Sequence, residues 1–458
     1  MNKNLNLKCY FNKLFLLIKM ILGILLEIPI DMNVIPKVQP YRRIPIPLEE
    51  RVSKKLQELE QLDIIEKVSG YSEWISPMVI ESKDKEDIRL CIDMRQANKA
   101  IRREHYPIPT IETLFTRIRG SKLFSKLDLS KAFHQVELLE KSRAITTFIT
   151  SKGLYRYKRL MFGMNCAPEM FQKLMEVILA DLTGVFVFID DILIFGRNEQ
   201  IHQNNLSNVL KRLKHFDVLL NHQKCIFGVK EIEFLGFKLS ENGLDITESK
   251  LKAVKQFRKP KDVSELRSFF GLVNFVGKFV PHLATENASL RKLLKKGVTF
   301  VWEKEQQESF EKIKNLLATK ETLGFYDPSL PTRLIVDASP VGLGAVLIQL
   351  QNGNPRIINF ASKSLSDVEK RYSQSEKEAL ACVWGTETNK IYLVGKFFIL
   401  ETDHQALVVL FGEKSKPCAR IERWVLRLQS YDYKIEYRPG CSNIADPLSR
   451  LSLGEVSK

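Results

Sequence analysis

The 458-residue sequence has no Cys-x-x-Cys pair among its seven cysteines. An odd number of widely separated cysteines excludes a zinc ribbon and argues against a disulfide scaffold, so we expect a reducing compartment. His222 and Cys225 have the spacing of metal ligands. Because no second pair completes a site, we interpret them as a polar turn residue and a small apolar residue.

Long uncharged apolar runs, internal repeats and low-complexity tracts are also missing. Phe15–Ile30 is apolar but is interrupted by Lys19 and Glu27, whereas a membrane-spanning helix needs about 20 predominantly apolar residues. No small-residue cleavage site of a signal peptide follows. We therefore treat residues 1–33 as an unassigned amphipathic or artefactual leader, with a membrane anchor as the alternative.

Acidic residues are comparatively few, since 54 Asp and Glu stand against 70 Lys and Arg, which gives a net charge of +16. This surplus suits a polyanionic partner, either nucleic acid or an anionic membrane surface. A basic enzyme without such a partner is the alternative. With 44% hydrophobic and 27% charged residues, wholesale disorder is excluded.

The first half of the chain alternates short strand-like runs with helices up to about residue 240. A helix is predicted over Glu49–Gln61, and the Lys-rich stretch 248–320 is predicted to be mostly helical. The phenylalanines of Ser264–Val280 recur at roughly helical spacing, which predicts that they belong to a core rather than to a base-stacking surface.

The pattern changes near Thr332, where strand, turn and strand are followed by a third strand, a helix from Ser375 and another strand. This order is typical of an α+β or α/β domain. We predict a domain boundary near residues 320–330.

The most unusual carboxylates lie in Val185–Phe195, where nine apolar residues are split by Asp190 and Asp191. The pattern predicts a β-hairpin with the two aspartates at its tip. Aspartate favours turns, which is the ordinary explanation. However, adjacent carboxylates between apolar strands raise each other's pKa, and a divalent cation would relieve this repulsion.

A third carboxylate, Asp128, lies within the apolar run Leu123–Leu138. If the fold brings it to the hairpin tip, the three form an all-oxygen site of the kind that Mg²⁺ prefers. Two such ions activate the attacking 3′-oxygen and stabilise the leaving group in phosphoryl transfer, which is polymerase chemistry.

Five ordered motifs make the sequence recognisable. RLCIDMRQANKAI (89–101), FSKLDLSKAFHQ (124–135), LMFGMNCAPEMFQ (160–172), FIDD (188–191) and FLGF (234–237) resemble those of reverse transcriptases, above all in the Pol polyproteins of gypsy/Ty3-type LTR retrotransposons. The resemblance extends from about Val34 to Leu451.

The resemblance implies that Asp128, Asp190 and Asp191 are the metal-binding catalytic carboxylates. It matches Arg89 to the arginine that holds the incoming triphosphate, a role that suits a guanidinium. A surface ion pair between Arg89 and Asp87 is the alternative.

The resemblance also implies three further contacts with the incoming dNTP. Phe133, five residues after Asp128, takes the place of the aromatic steric gate that excludes a ribose 2′-hydroxyl, with a core phenylalanine as the alternative. Gln172 is expected to contact nucleotide and template. A fingers lysine is expected at Lys83 or Lys85, and the sequence does not decide between them.

A second acidic set resembles the D-E-D-D carboxylates of retroelement ribonucleases H, which hold two Mg²⁺ ions. Its members lie in DASPVGLGAVL, EKEALA, TDHQAL and NIADPLSR, and are Asp337, Glu378, Asp403 and Asp446. Taken singly, each is an ordinary acid at a strand end or helix start. We choose Glu378 over Glu376 because it directly precedes the apolar helix core.

The resemblance implies an α+β multidomain fold, a right-hand polymerase followed by a connection and an RNase H-like α/β domain. The predicted ranges are 34–247 for fingers and palm, 248–325 for thumb and connection, and 326–458 for the RNase H-like domain. The implied activity is RNA- and DNA-directed DNA synthesis with cleavage of RNA in hybrids. The alternative is an inactive retroelement relic that binds RNA–DNA hybrids without cutting them.

The same resemblance sets the expected cofactors and partners. Two Mg²⁺ ions are expected in each site, with Mn²⁺ as a substitute. The expected partners are an RNA template, a DNA primer, RNA–DNA hybrid, dNTPs and other Pol- or Gag-derived proteins, without a stable membrane partner. The expected location is the cytoplasm, including virus-like particles.

Overall fold

The computed structural model describes residues 21, 23–82, 88–281, 283–318, 322–411 and 418–439. The chain forms two compact units. The first runs to Leu114 and again from Gly120 to Lys230, and the second comprises Phe115–Arg119 and the chain from Glu231 onward. No helix among these residues is long and apolar enough to cross a membrane.

The first unit is built from eleven strands and five helices of the described chain, and the helix Ile111–Ile118 ends in the second unit. The strands are β1 (Leu25–Leu26), β2 (Ile65–Val68), β3 (Ser76–Ser82), β4 (Ile88–Ile92), β5 (Leu123–Asp128), β6 (Glu137–Leu138), β7 (Phe148–Thr150), β8 (Gly153–Tyr157), β9 (Val185–Phe188), β10 (Asp191–Gly196) and β11 (Ile226–Val229). The helices are α1 (Ile46–Gln61), α2 (Ile111–Ile118), α3 (Glu140–Arg143), α4 (Ala167–Ile178) and α5 (Glu199–His215).

Two sheets organise the first unit, a four-stranded sheet in the order β11-β5-β10-β9 and a five-stranded sheet in the order β2-β8-β7-β3-β4. Helix α5 begins where the Asn198 side chain accepts a hydrogen bond from the Ile201 N–H (2.9 Å). It contacts the four-stranded sheet through a buried hydrogen bond between His202 Nε2 and Ser125 Oγ (2.9 Å). This contact fixes the helix beneath the strand that ends at Asp128.

Part of the apolar N-terminal stretch is integrated into the first unit. Strand β1 pairs in parallel with β6, and Ile21 and Ile28 are each only 2% exposed within the unit's core. The described residues of this unassigned segment therefore pack in the core of the first unit. Residues 1–20 and residue 22 lie outside the described residues.

The second unit contains eight strands and nine helices within the same described ranges. The strands are β12 (Glu231–Phe234), β13 (Phe237–Ser240), β14 (Gly243–Ile246), β15 (Thr332–Ala338), β16 (Gly342–Gln351), β17 (Asn354–Ser364), β18 (Phe398–Thr402) and β19 (Tyr433–Tyr437). The helices are α6 (Glu248–Lys255), α7 (Val263–Val276), α8 (Leu283–Glu286), α9 (Ala288–Lys292), α10 (Lys304–Ala318), α11 (Gln374–Thr388), α12 (Lys390–Leu393), α13 (Gln405–Leu410) and α14 (Ala419–Leu428).

The predicted helical stretch is confirmed as helices α6 to α10, which follow the small antiparallel sheet β12-β13-β14. The aromatic side chains of the α7 segment are core residues, as predicted. Phe269 is fully buried against Phe310, with ring centroids 4.8 Å apart, and Phe275 stacks on Phe237 at 4.7 Å. Helix α7 therefore joins the hairpin sheet to the helices that follow it.

The last part of the unit is a five-stranded sheet in the order β17-β16-β15-β18-β19. Strands β15, β16 and β17 are antiparallel neighbours, whereas β18 returns in parallel beside β15 after α11, which confirms the predicted strand–helix–strand order. The parallel pairing places the C-terminal ends of β15 and β18 at the same edge of the sheet.

Candidate active sites

The predicted hairpin is confirmed, but its tip is Ile189–Asp190 rather than Asp190–Asp191, because Asp191 already pairs within β10. The hairpin places the three carboxylates of the first unit together. Strands β9 and β10 pair across a two-residue turn, Ile189 and Asp190, with Asp191 opposite Phe188. On the other side of β10, Asp191 pairs directly with Asp128, the last residue of β5. Directly opposed residues of antiparallel strands present their side chains on the same face. The carboxylates of Asp128 and Asp191 are therefore neighbours, with Asp190 beside them.

Negative charge is concentrated at this end of the sheet. Although Asp190 lies at the exposed tip of the turn, partial enclosure by the surrounding protein raises its pKa, and the charges of Asp191 and Asp128 raise it further. Lys126 Nζ lies 2.9 Å from Asp191 Oδ1, and Lys224 Nζ lies 4.0 Å from Asp128 Oδ2. A crowded set of carboxylate oxygens that attracts nearby ammonium groups also has the donor chemistry that a hard divalent cation requires.

The backbone at the hairpin tip is strained and is stabilised by hydrogen bonds to a buried glutamine. Ile189 has a φ of 54°, a left-handed conformation that costs a β-branched residue on the order of 1–3 kcal/mol. Its N–H donates to Gln172 Oε1 (2.6 Å), and Gln172 Nε2 donates to the Val187 carbonyl (3.0 Å) and to Glu176 Oε1 (2.7 Å). Gln172 is fully buried, so its amide supports the turn that carries Asp190. The expected contact between Gln172 and a nucleotide stays a prediction.

The residues predicted to meet the nucleotide lie on neighbouring segments of the first unit. Arg89 is on β4, and Phe133 is in the short turn Ala132–Gln135 that follows Asp128. Phe133 is only 7% exposed and packs on Phe171, with ring centroids 5.3 Å apart. Lys83, Lys85 and Asp87, which bear on the triphosphate contact, lie outside the described residues.

The second unit assembles three of its four predicted carboxylates. Asp337 lies near the end of β15, Asp403 follows the neighbouring strand β18, and Glu378 is in the first turns of α11. One carboxylate oxygen from each lies within 4.8 Å of those of the other two. Asp446 lies outside the described residues.

Burial and mutual repulsion perturb this second cluster. Burial, followed by the charges of Asp337 and Asp403, raises the pKa of Glu378 to about 8. Partial burial and Asp337 likewise raise the pKa of Asp403. Glu378 Oε1 accepts a hydrogen bond from Gln374 (2.6 Å), but the buried Oε2 has no hydrogen-bond partner among the described residues. An orphaned, buried carboxylate oxygen facing two other acids fits a divalent cation.

The neighbouring acid Glu376 has a different structural role. It forms a capping box with Ser373, whose N–H donates to Glu376 Oε2 (2.9 Å), and it makes an ion pair with Arg420 (2.6 Å). These contacts hold Glu376 at the helix start. Among these two acids, it is Glu378 that the structure places with Asp337 and Asp403.

Two family models match the chain in the same order as the two carboxylate sets. The model described as "Reverse transcriptase (RNA-dependent DNA polymerase)" matches residues 80–239, and the model described as "RNase H-like domain found in reverse transcriptase" matches residues 327–431.

Curated relatives match across both regions. The retrovirus-related Pol polyprotein from transposon 412 of Drosophila melanogaster is 33% identical over 416 residues, which cover 89% of this chain and 33% of that protein. The transposon Tf2-3 polyprotein of Schizosaccharomyces pombe is 34% identical over 382 residues, which cover 82% of this chain and 29% of that protein. The chain therefore contains a reverse transcriptase region followed by an RNase H-like region, and it is similar to retrotransposon Pol polyproteins along most of its length. It spans about a third of the length of these polyproteins.

Solved structures confirm the predicted fold class. The foamy viral protease–reverse transcriptase in complex with double-stranded DNA gives a TM-score of 0.81 at 21% identity, over 90% of this chain and 74% of that chain. The same viral protein in complex with an RNA/DNA hybrid gives 0.76 at 22% identity, over 91% of this chain and 58% of that chain. At these identities the likeness is one of fold.

Sequence reasoning did not single out several residues that the structure places at the two candidate sites. Lys126 and Lys224 approach the first carboxylate set, and Gln374 donates to Glu378. Lys126 lies two positions before Asp128, a spacing that places both on one face of a strand. Gln374 lies four positions before Glu378, a spacing that places both on one face of a helix.

Replacing Ser373 with alanine is expected to loosen the start of α11, because the capping box satisfies two backbone donors there. A lost N-cap of this kind costs about 1 kcal/mol. Hydrogen exchange should therefore quicken at the first turn of α11. Ser264→Ala, at an exposed serine in the first turn of α7, is the matched control. Equal protection of α11 in both variants would show that the cap contributes nothing.

Proposed function

We propose that the chain is a bifunctional enzyme that copies RNA and DNA into DNA at the first carboxylate set and hydrolyses the RNA strand of hybrids at the second. The observation that carries this proposal is that each family match contains its own carboxylate set, assembled by strand pairing in one case and by sheet and helix in the other. The implied ranges, 34–247 for fingers and palm, 248–325 for thumb and connection, and 326–458 for the RNase H-like domain, are part of the proposal.

In the first unit, Asp128, Asp190 and Asp191 would hold two divalent cations, Mg²⁺ by preference. Bound there, the ions would supply Lewis-acid activation of the primer 3′-oxygen and stabilisation of the leaving pyrophosphate. Lys126 and Lys224 offset the charge of Asp191 and Asp128 in the metal-free protein. Gln172 keeps the turn in its strained conformation. Arg89 would bind the triphosphate through charge-assisted hydrogen bonds.

In the second unit, Asp337, Glu378 and Asp403 would hold the cations, with Asp446 as a fourth ligand carried over from the resemblance. Gln374 orients Glu378 by donating to its Oε1. The second oxygen, Oε2, is left to accept a ligand. The proposed substrate is a nucleic acid duplex, which agrees with the net charge of +16 because lysine and arginine neutralise phosphates independently of base sequence.

A single substrate tests both halves of the proposal. A labelled DNA primer on a labelled RNA template, given dNTPs and Mg²⁺, should be extended, and the RNA should then be shortened. Binding of the hybrid without dNTP incorporation or RNA cleavage would overturn the proposal in favour of an inactive relic that only binds. Replacing Mg²⁺ with Mn²⁺ or Ca²⁺ in parallel reactions would identify the metal.

Metal-free protein is expected to lose stability as pH rises from about 4.5 to about 8. The folded protein keeps a proton on Glu378 up to about pH 8, whereas the unfolded chain loses it near 4.5. Because the folded state binds more protons in this window, its stability falls with pH. The measurement is Tm against pH with and without Mg²⁺. Mg²⁺ should raise Tm more at about pH 8.5 than at about pH 5.5, where it must displace a proton.

Glu378→Gln separates this effect from other titrating groups. The variant should show a flatter Tm profile than the wild type between the same two pH values. An unchanged profile would contradict the assignment of the raised pKa to Glu378.

A further inference from the structure

Two polar residues at the start of α11 attach that helix to both neighbouring strands. Gln374 Nε2 donates to the carbonyl oxygen of Ala338, the last residue of β15 (3.0 Å). Ser375 Oγ and His404 Nε2 form a hydrogen bond of 3.1 Å, and His404 follows β18 at the N-cap of α13. The first turn of α11 is therefore attached at two points to the edge of the sheet where β15 and β18 end.

The hydrogen bond between Ser375 and His404 lies next to two members of the second carboxylate set. His404 follows Asp403 directly. Ser375 precedes Glu378 by three positions, which places both on one face of α11. One peptide unit and one helical turn are short, regular connections. The hydrogen bond therefore constrains the separation of Glu378 and Asp403, whose carboxylate oxygens lie within 4.8 Å of each other.

The orientation of the His404 ring depends on Ser375. The second ring nitrogen, Nδ1, is buried and has no hydrogen-bond partner among the described residues. The backbone N–H of His404 donates to Thr402 Oγ1 (3.3 Å), a contact that fixes the main chain but leaves the ring free to turn. Removing either the imidazole or the serine hydroxyl therefore removes this connection between α11 and the end of β18.

We infer that His404 is a positioning residue of the proposed ribonuclease site, which holds Glu378 and Asp403 at the separation that a shared divalent cation requires. This inference rests on the proposed RNA-cleaving function. The two carboxylates repel each other in the metal-free protein. A hydrogen bond that opposes this repulsion keeps the ligands in place before the ion binds, and loss of such a supporting contact weakens metal binding or activity by about 10- to 100-fold.

The test compares wild type with His404→Ala, Ser375→Ala and His404→Gln in cleavage of a hybrid across a Mg²⁺ titration. Both alanine variants should need about tenfold more Mg²⁺ for half-maximal cleavage, and should approach the wild-type rate at saturating Mg²⁺. His404→Gln keeps a polar group that can reach Ser375, and should restore most of the wild-type Mg²⁺ dependence. Ser375→Ala removes the same hydrogen bond with a smaller change in volume, so it serves if His404→Ala melts early.

Hydrogen exchange at the first turn of α11 measures the same site without any substrate. Because a bound cation stabilises the folded form of its site, Mg²⁺ should slow exchange there. The Mg²⁺ concentration that gives half of this effect should rise in both alanine variants by the same factor as in cleavage. A residue that only stabilises the fold would change exchange in the metal-free protein and leave this concentration unchanged.

Two comparisons separate this hydrogen bond from general effects of substitution. The double variant Ser375→Ala/His404→Ala should need no more Mg²⁺ than either single variant, because both changes remove one contact. His215→Ala, at an exposed histidine at the end of α5 in the first unit, should leave the Mg²⁺ dependence of RNA cleavage unchanged.

A wild-type chain that cuts RNA while both alanine variants keep its Mg²⁺ dependence overturns the inference alone. Loss of cleavage in folded alanine variants that saturating Mg²⁺ does not restore would also overturn it, because His404 would then act by a route other than the metal ligands. A folded wild-type chain that cuts no RNA overturns the proposed function, and the exchange measurement still shows whether His404 supports Mg²⁺ binding.

Discussion

Asp191→Asn is expected to abolish primer extension, with a loss of roughly 10³-fold or more in kcat, while RNA in a preformed hybrid is still cleaved. Asp191 pairs directly with Asp128 and lies beside Asp190, so the change removes one of three charges that would hold the metal ions. The second carboxylate set belongs to the other compact unit. Because each set is assembled within its own unit, we expect a change in one set to leave the other intact.

The variant should remain folded. Neutralising one member of a crowded, metal-free carboxylate set relieves repulsion and opens no cavity. Asp181→Asn, at an exposed aspartate of the same unit, is the matched control and should extend primers normally. Primer extension by Asp191→Asn at the wild-type rate would remove Asp191 from the site.

Glu378→Gln is expected to do the reverse, by extending a primer on RNA while leaving the RNA strand whole. Glu378 is 3% exposed and is surrounded by Asp337 and Asp403. Glutamine has the same shape and can keep the contact with Gln374, but it offers no charge to a cation. We expect a loss of RNA cleavage on the same scale, roughly 10³-fold or more.

The control for this change lies on the same helix. Glu387→Gln, near the end of α11, removes only the charge of an ion pair with Arg427 and should leave both activities intact. One doubly labelled RNA–DNA substrate reports both primer extension and RNA cleavage. Thermal melting of each variant reports whether it is folded. If a folded Asp191→Asn or Glu378→Gln protein loses both activities, the assignment of two separate centres is wrong.

Much of the polymerase-like site could be predicted because its signals are local. The apolar runs around Asp190 and Asp191 predict a hairpin, and the hairpin is present. The direct pairing of Asp191 with Asp128 was not predictable from local pattern, because strand register depends on a partner 63 positions away in the chain. Nor does any sequence pattern indicate that Ile189 adopts a positive φ, since this conformation is imposed by the buried Gln172.

At the second site, the apolar residues that follow Glu378 favour Glu378 over Glu376 as the member of the carboxylate set. The sequence contains a stronger argument that Glu376 is not part of this set. Ser373 followed three residues later by Glu376 is the pattern of a capping box, which predicts that Glu376 turns back to the helix start. The structure contains that box.

The N-terminal segment shows what composition leaves open. Lys19 and Glu27 argue against a membrane span, and the sequence alone therefore favours a leader. In the structure, Ile21 and Ile28 lie in the core of the first unit, and β1 adds to β6. A two-residue strand gives no periodic signal, so its partner could not be inferred from the sequence.

The pairing of Asp191 with Asp128 bears on how decaying genomic copies of such elements should be judged. Side chains alternate between the two faces of a strand, so one codon gained or lost within β10, just after Asp191, would turn Asp191 away from Asp128. A copy of this kind would still encode every acidic residue of the set. Whether a copy can still assemble this carboxylate set is therefore decided by the spacing of its acidic codons as much as by their survival.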